Sequence, residues 1–279
     1  MGTRFSVLSL FCLLSFTAVF AQQGGVGAYS FLNLTITPRS ASLGSKVVAL
    51  DESDAGVALN NPAHLNSALH NHLSLSYVRY FADISYGYVS YARHFSGVGT
   101  FGVGLQHVGY GQFTEADPTG QITGSFTGYD MAFHLMYSRS FDSLFTVGVN
   151  VKPVFSHLES YRSFGIAADI GLEYANREHL FAAGIVVRNI GAMLKTYTPG
   201  TREPLSFELV AGFSQKLRHA PFRFVVSFQQ LQNLDMYYRR QREYFTFFAD
   251  NEQEKQSTFE RIGNEFISHV ILGVEFVPV

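Results

Sequence analysis

The chain has 279 residues, and its 20 Lys and Arg nearly balance its 22 Asp and Glu to give a formal net charge of −2. This balance excludes the basic surface that is typical of nucleic-acid-binding proteins. No apolar run of 18 or more residues follows the first 21 residues, which argues against a helical membrane protein.

Residues 1–21 have the pattern of a secretory signal peptide. Arg4 precedes an apolar run over 5–20, and Ala21 fits the small residue required before a signal-peptidase cleavage site. Cys12 lies inside this segment without the small residue that precedes a lipidated cysteine, so we expect a mature chain with no cysteine. A buried N-terminal helix is the alternative, but the Gln-Gln-Gly-Gly stretch that follows disfavours it. We predict an exported protein.

Residues 22–70 do not show the alternation of strands. Glycines and a proline interrupt the segment, and only 40–50 and 55–59 are compatible with short helices. Asn61 precedes Pro62, and a residue before proline avoids the helical region, so this pair favours the end of one turn and the start of another. An ordinary helix cap leading into the first strand is the alternative.

The run that contains Leu43-Gly44 and Asn61-Pro62-Ala63 resembles the N-terminal region of the PorQ family, outer-membrane proteins of the Bacteroidetes type IX secretion system. It is similar, more loosely, to the PorV proteins and to FadL-like transporter barrels. The resemblance implies that these five residues belong to a plug in a fourteen-stranded barrel. It also implies an anchor for a large, surface-exposed, PorZ-like partner protein in an attachment complex. A FadL-like transporter of small hydrophobic molecules is the alternative.

Residues 71–279 contain ten segments in which apolar and polar residues alternate, as side chains do on the two faces of a strand. We predict strands at 71–81, 84–95, 98–110, 127–140, 143–156, 161–176, 179–190, 205–217, 220–231 and 266–278. In the fifth segment, Val149 lies on the apolar face and Asn150 on the polar face. An apolar face packs on a core in a soluble sandwich but contacts lipid in an outer-membrane barrel.

The lengths of the connections favour the membrane barrel. Connections after the second, fourth, sixth and eighth strands hold only a few residues, whereas long ones follow the third, seventh and ninth, at 111–126, 191–204 and 232–265. This is the pattern of short periplasmic turns and long extracellular loops. We therefore predict an all-β, antiparallel, FadL-like transmembrane barrel in the outer membrane of a Gram-negative bacterium. Its N-terminus would be periplasmic, and 22–70 would form a short helical or irregular plug.

Two consequences follow from this assignment of faces. The polar faces carry both signs of charge, which predicts an interior crossed by hydrogen bonds between side chains. Arginine at Val149 would face lipid and is expected to block membrane assembly, whereas arginine at Asn150 is expected to be tolerated far better. An open porin is disfavoured, because wide aqueous channels come with sixteen or more strands.

The long connection at 232–265 mixes aromatic residues with arginines, a composition that is enriched at protein interfaces. We predict that it binds the partner through Tyr237, Tyr238, Arg239, Arg240, Arg242, Tyr244 and Phe245. The alternative is that these aromatic residues extend strands or lie at the level of the lipid headgroups.

The sequence ends on Phe276-Val277-Pro278-Val279, with a proline that cannot donate a hydrogen bond to a strand ladder. Because the resemblance implies fourteen strands, we expect the barrel over 71–279 to be C-terminally incomplete. Closure of ten strands on themselves is the alternative, since the number is even. Hydrogen bonds between the first and last strands would distinguish the two.

Catalytic and metal-binding patterns are not found in the sequence. The ten histidines are scattered, and His70 and His72 share a strand face without an evident third ligand. No Ser, His and Asp stand in a recognisable nucleophile setting. We expect no enzymatic activity, no cofactor and no metal.

Overall fold

The computed structural model describes residues 27–50, 54–142, 144–233 and 266–277. Ten strands form a single antiparallel sheet in which each strand pairs with the next one in the chain. They are β1 (His72–Arg79), β2 (Ser85–Phe95), β3 (Gly99–Ala116), β4 (Ile122–Ser140), β5 (Phe145–Leu158), β6 (Tyr161–Ala175), β7 (Phe181–Lys195), β8 (Glu208–Lys216), β9 (Phe222–Phe228) and β10 (Val270–Phe276). For the part of the chain that is described, the prediction of an all-β fold with ten antiparallel strands is confirmed. Every helix among the described residues is too short and too polar to span a membrane.

The predicted long connection at 111–126 is wrong. The register of β3 and β4 shifts between Gly109 and Gln112, and pairing then continues as far as Ala116 and Ile122. A bulge reverses the phase of the alternation, so the continuing strand looks like a loop in the sequence. In the same way, β7 runs on into the predicted loop at 191–204. Both extensions lie at the end of the sheet where the long connections were expected.

The two ends of the sheet therefore differ. The end that carries the connections after β2, β4, β6 and β8 is called the turn end. The opposite end, with the connections after β1, β3, β5, β7 and β9, is called the loop end. The β3–β4 hairpin extends at the loop end, where Phe113 and Phe126 stack with ring centroids 5.2 Å apart.

The N-terminal segment, defined here as residues 27–70 apart from 51–53, lies on one face of the sheet. It contains the short helix α1 (Pro38–Ser42) and the 3-10 helices Ser30–Asn33, Val57–Leu59, Pro62–His64 and Ser67–Leu69. Asparagines begin two of these turns: Asn61 accepts from the Ala63 amide at 3.0 Å, and Asn66 accepts from the Ala68 amide at 3.0 Å. Such caps favour short turns over strands here, because the side chain satisfies a free amide.

The sheet buries its polar face and exposes its apolar face. In β5, Asn150 and Lys152 are fully buried on the face that contacts the N-terminal segment. Phe145 and Phe155 lie on the other face and are 44% and 42% exposed. The same arrangement holds in β4, where His134 is buried and Leu135 is 54% exposed. A soluble sandwich would bury the apolar face instead.

The sheet is open, since the described residues contain no ladder between β1 and β10. The N-terminal segment contacts both edges. The carbonyl of Ile36 accepts from Ser76 Oγ of β1 at 2.5 Å, and three residues later Arg39 binds Glu275 of β10. The two edges are therefore linked through one stretch of the N-terminal segment rather than through backbone pairing.

Candidate functional site

Inward-facing glycines let the N-terminal segment approach the sheet backbone. A Cβ added to Gly171 would lie 1.9 Å from Asn61 Oδ1, and one added to Gly148 would lie 2.2 Å from the carbonyl carbon of Pro62. A Cβ on Gly184 would lie 2.2 Å from the Val48 carbonyl oxygen. No side chain fits at these three positions, so glycines on three neighbouring strands make room for the N-terminal segment against the sheet.

The structure places the five predicted plug residues at two points on this face. Leu43 packs against Gly273 of β10, and Gly44 has a φ of +89°, which favours glycine. Asn61, Pro62 and Ala63 lie against β5, β6 and β7, and Asn61 Nδ2 also donates to the Val48 carbonyl at 2.8 Å. Their role as a barrel plug remains a prediction.

Gly148→Ala is expected to loosen the N-terminal segment. The new methyl group would overlap the backbone at Pro62, and overpacking of this kind costs about 1–3 kcal/mol. We expect a lower urea midpoint and faster proteolysis within residues 27–70. Gly109→Ala is the matched control, because the nearest atom to its Cβ is 3.5 Å away. Equal behaviour of the two variants would contradict this packing.

A buried network of polar side chains lies at the centre of the inward face. Lys152 Nζ donates to Asp169 Oδ1 at 2.6 Å and also to Asn189 Oδ1. Asp169 accepts two further bonds, from Asn150 Nδ2 at 3.1 Å and from the backbone amide of Asn189 at 2.8 Å. Asn150 Nδ2 lies 3.1 Å from His134 Nδ1, which extends the network to β4. Four strands are thus joined through side chains.

A second part of the network joins the sheet to the N-terminal segment. Arg188 lies 3.4 Å from Glu208 and donates to the carbonyl of Leu32 at 3.1 Å. Lys46 Nζ binds the same Glu208 carboxylate at 2.7 Å. Burial lowers the pKa of Lys46 from its ordinary value, the nearby Arg188 lowers it further, and Glu208 opposes both. The segment is therefore held by buried charge pairs as well as by close packing.

Further buried polar contacts lie towards the turn end of the inward face. His64 Nδ1 is 2.7 Å from Glu173 Oε2, with both side chains almost fully buried. Glu275 of β10 forms two ion pairs. Its Oε2 atom is 2.8 Å from Arg223 Nη1 and its Oε1 atom is 2.8 Å from Arg39 Nε, so one carboxylate lies between two guanidinium groups. The alternation predicted an interior with both signs of charge, but it did not identify these pairs.

A small cavity lies between the N-terminal segment and the sheet. It measures about 10 Å³ and is lined in part by Gln106, His134, Lys152 and Arg188. This volume accommodates about one water molecule. Within the described ranges, no group of three or more His, Cys, Asp or Glu could hold a metal ion.

The outward face carries aromatic rings in two belts. Near the turn end, ring contacts at centroid distances of 4.9 to 6.3 Å join Phe95 with Phe101, Phe101 with Tyr137, Phe145 with Tyr174, Tyr174 with Phe181, Phe181 with Phe213 and Phe222 with Phe276. Near the loop end, similar contacts join Phe133, Phe155 and Phe164, and also Phe228 and Phe266. Exposed aliphatic side chains such as Leu135 and Ile170 lie between the belts.

The predicted partner-binding residues lie outside the described residues. They are Tyr237, Tyr238, Arg239, Arg240, Arg242, Tyr244 and Phe245. The described strands on either side of this part of the chain are β9, which ends at the loop end, and β10, which begins there.

A scan against models of protein families found no match, and a search of curated proteins found no similar sequence. The proposed function therefore depends on the geometry and on the resemblance of the N-terminal segment.

Proposed function

We propose that this protein is an outer-membrane β-barrel component of the type IX secretion system that anchors or assembles a surface partner. The observation that carries the membrane location is the inverted sheet, with buried polar groups and an exposed apolar face. Such a face is stable against lipid, whereas in water it would leave a large apolar surface hydrated. The N-terminal segment would be the plug.

The spacing of the aromatic belts supports this location. Phe145 and Phe155 mark the two belts on β5 and are ten residues apart. At roughly 3.3 Å per residue, this separation is about 33 Å along the strand. With a strand tilt of about 40°, the height is about 25 Å, which is the height of the apolar band of outer-membrane barrels.

The packing of the interior favours an anchor over a transporter. The cavity of about 10 Å³ beside Lys152 and Arg188 is too small for a fatty acid or an aromatic compound. Buried ion pairs, including Lys152 with Asp169, would have to break before such a ligand could pass. The FadL-like transporter of small hydrophobic molecules remains the second candidate, because the same N-terminal residues resemble that group.

The orientation follows from the two ends of the sheet. Short turns would be periplasmic, together with the N-terminus, and the loop end would be extracellular. The partner would be a large, surface-exposed type IX protein that is PorZ-like, as the resemblance implies. The 232–265 connection, which starts and ends at the loop end, is the proposed contact with this partner.

Replacing residues 237–248 with a Gly-Ser linker of equal length is expected to release the partner while the protein stays in the membrane. A pull-down from solubilised outer membranes should recover a large surface protein with the wild type and lose it with the variant. Replacing the turn at 117–121, which also lies at the loop end, is the control and should keep the partner. Retained partner in the 237–248 variant, or saturable uptake of a fatty acid by vesicles that contain the protein, would contradict the anchor.

A further inference from the structure

We propose that the outward face of the sheet binds the phosphate groups of an anionic lipid at its loop end. The site is named the cationic row after Arg162 and Lys195, and it also contains His107 and His157, with Tyr129 between the two histidines. This inference rests on the proposed membrane location and adds a specific ligand to it.

Strand register brings these side chains together. Tyr129 pairs with His157, and His157 pairs with Arg162, so these residues lie side by side on β4, β5 and β6. The Tyr129 ring lies between two imidazoles, with its centroid 6.1 Å from that of His107 and 5.3 Å from that of His157. Residues that pair across a ladder share a face, so the row points outward like Phe155.

Lys195 completes the row on β7. It pairs with Phe164, whose ring contacts Phe155 at a centroid distance of 4.8 Å in the loop-end aromatic belt. His107 pairs with Met131, which pairs with Phe155 in turn, so His107 also lies at the level of that belt. Arg162 lies two residues from Phe164 on β6, on the side towards the loop end. The row therefore lies at the upper boundary of the apolar face, which is the headgroup level of a bilayer.

The side chains of the row are available for a ligand. His107, Arg162 and Lys195 are exposed, and neither Arg162 nor Lys195 forms an ion pair with a described residue. His157 is half-buried, and its Nδ1 atom has no hydrogen-bond partner among the described residues. Guanidinium, ammonium and imidazole groups donate hydrogen bonds to phosphate oxygens, and acyl chains below would contact the apolar face.

The outward face at the turn end provides a comparison. At the turn end, the outward cations Arg93 and Arg139 lie on β2 and β4, which are not adjacent, and Arg93 packs over the ring of Phe95 at 5.1 Å. Two isolated cations do not form a continuous site. The cationic row spans five consecutive strands with its tyrosine, so it can contact more than one phosphate of the same lipid.

The test uses the full chain, purified in a non-ionic detergent, with diphosphorylated lipid A as the probe. Binding is measured as the lipid-dependent rise in the midpoint temperature, at which half of the protein has lost the gel mobility of the folded form. Arg162→Gln with Lys195→Gln is expected to weaken lipid A binding by about tenfold or more, because two charge-assisted contacts are lost. Arg93→Gln with Arg139→Gln is the matched control and should bind lipid A like the wild type.

Three further measurements, with dephosphorylated lipid A, with inorganic phosphate and by vesicle flotation, separate the possible outcomes. Dephosphorylated lipid A should give no rise in the midpoint, and inorganic phosphate alone should give none either, because it lacks acyl chains. Equal weakening in the two double variants, or equal binding of both lipids, would overturn the lipid site. Flotation of the wild type with phosphatidylcholine vesicles tests the membrane location separately. Failure to float would overturn both proposals, whereas flotation without lipid A selectivity would overturn this inference alone.

Discussion

Val149→Arg is expected to abolish assembly of the protein into outer membranes. Val149 lies on the outward face of β5, opposite Tyr137 and Ile170, and between Phe145 and Phe155, the two belt residues of that strand. A charged side chain at the middle of a bilayer on the lipid face of a barrel costs about 2–4 kcal/mol. Heat-modifiable mobility of the membrane fraction should show the folded form in the wild type and lose it in the variant.

The control for this variant has the same charge on the same face but outside the apolar band. Thr127→Arg meets this requirement, since Thr127 is exposed on β4, two residues beyond Tyr129. It should assemble like the wild type. Equal assembly of Val149→Arg and Thr127→Arg would contradict the membrane location of the outward face.

The alternation alone predicts that Asn150→Arg is tolerated far better than Val149→Arg, but it leaves out the close packing around Asn150. Asn150 is fully buried and lies within hydrogen-bond distance of His134 and Asp169. Arginine there would displace the network and add a second buried cation beside Lys152. Alternation identifies the polar face, but it does not indicate how closely that face is packed.

Asp169→Leu is expected to destabilise the folded protein by about 3–5 kcal/mol, because it leaves Lys152 as a buried charge without its carboxylate. The Asn150 amide and the backbone amide of Asn189 lose an acceptor at the same time. Urea unfolding of the purified protein, followed by the loss of the folded gel band, measures the change.

The double variant Lys152→Met with Asp169→Leu is the control for this interpretation. Removing both charges avoids the unpaired cation, so the double variant should be more stable than Asp169→Leu alone. Lys152→Met alone completes the cycle: if its effect and that of Asp169→Leu simply add in the double variant, the two charges are not coupled, and the assignment of a stabilising pair is wrong.

Strand number and the two faces of each strand follow from the sequence alone. Alternation is a local property of an extended backbone, so Val149 and Asn150 fall on opposite faces whatever lies around them. The ends of strands do not follow from the local pattern in the same way. The bulge after Gly109 changes the phase of β3, and the resulting pairing of Phe113 with Phe126 depends on a partner strand that the local pattern does not include.

Tertiary structure decided which face is buried and which charges meet. A period of two is the same for a sandwich and for an inverted sheet, and only the packing of Asn61 and Pro62 against the inward glycines distinguishes them. Lys152, Asp169 and Asn189 lie on three strands, and their meeting depends on the register between those strands. Register is a relation between distant segments, so it comes from the folded sheet and not from the composition of any one strand.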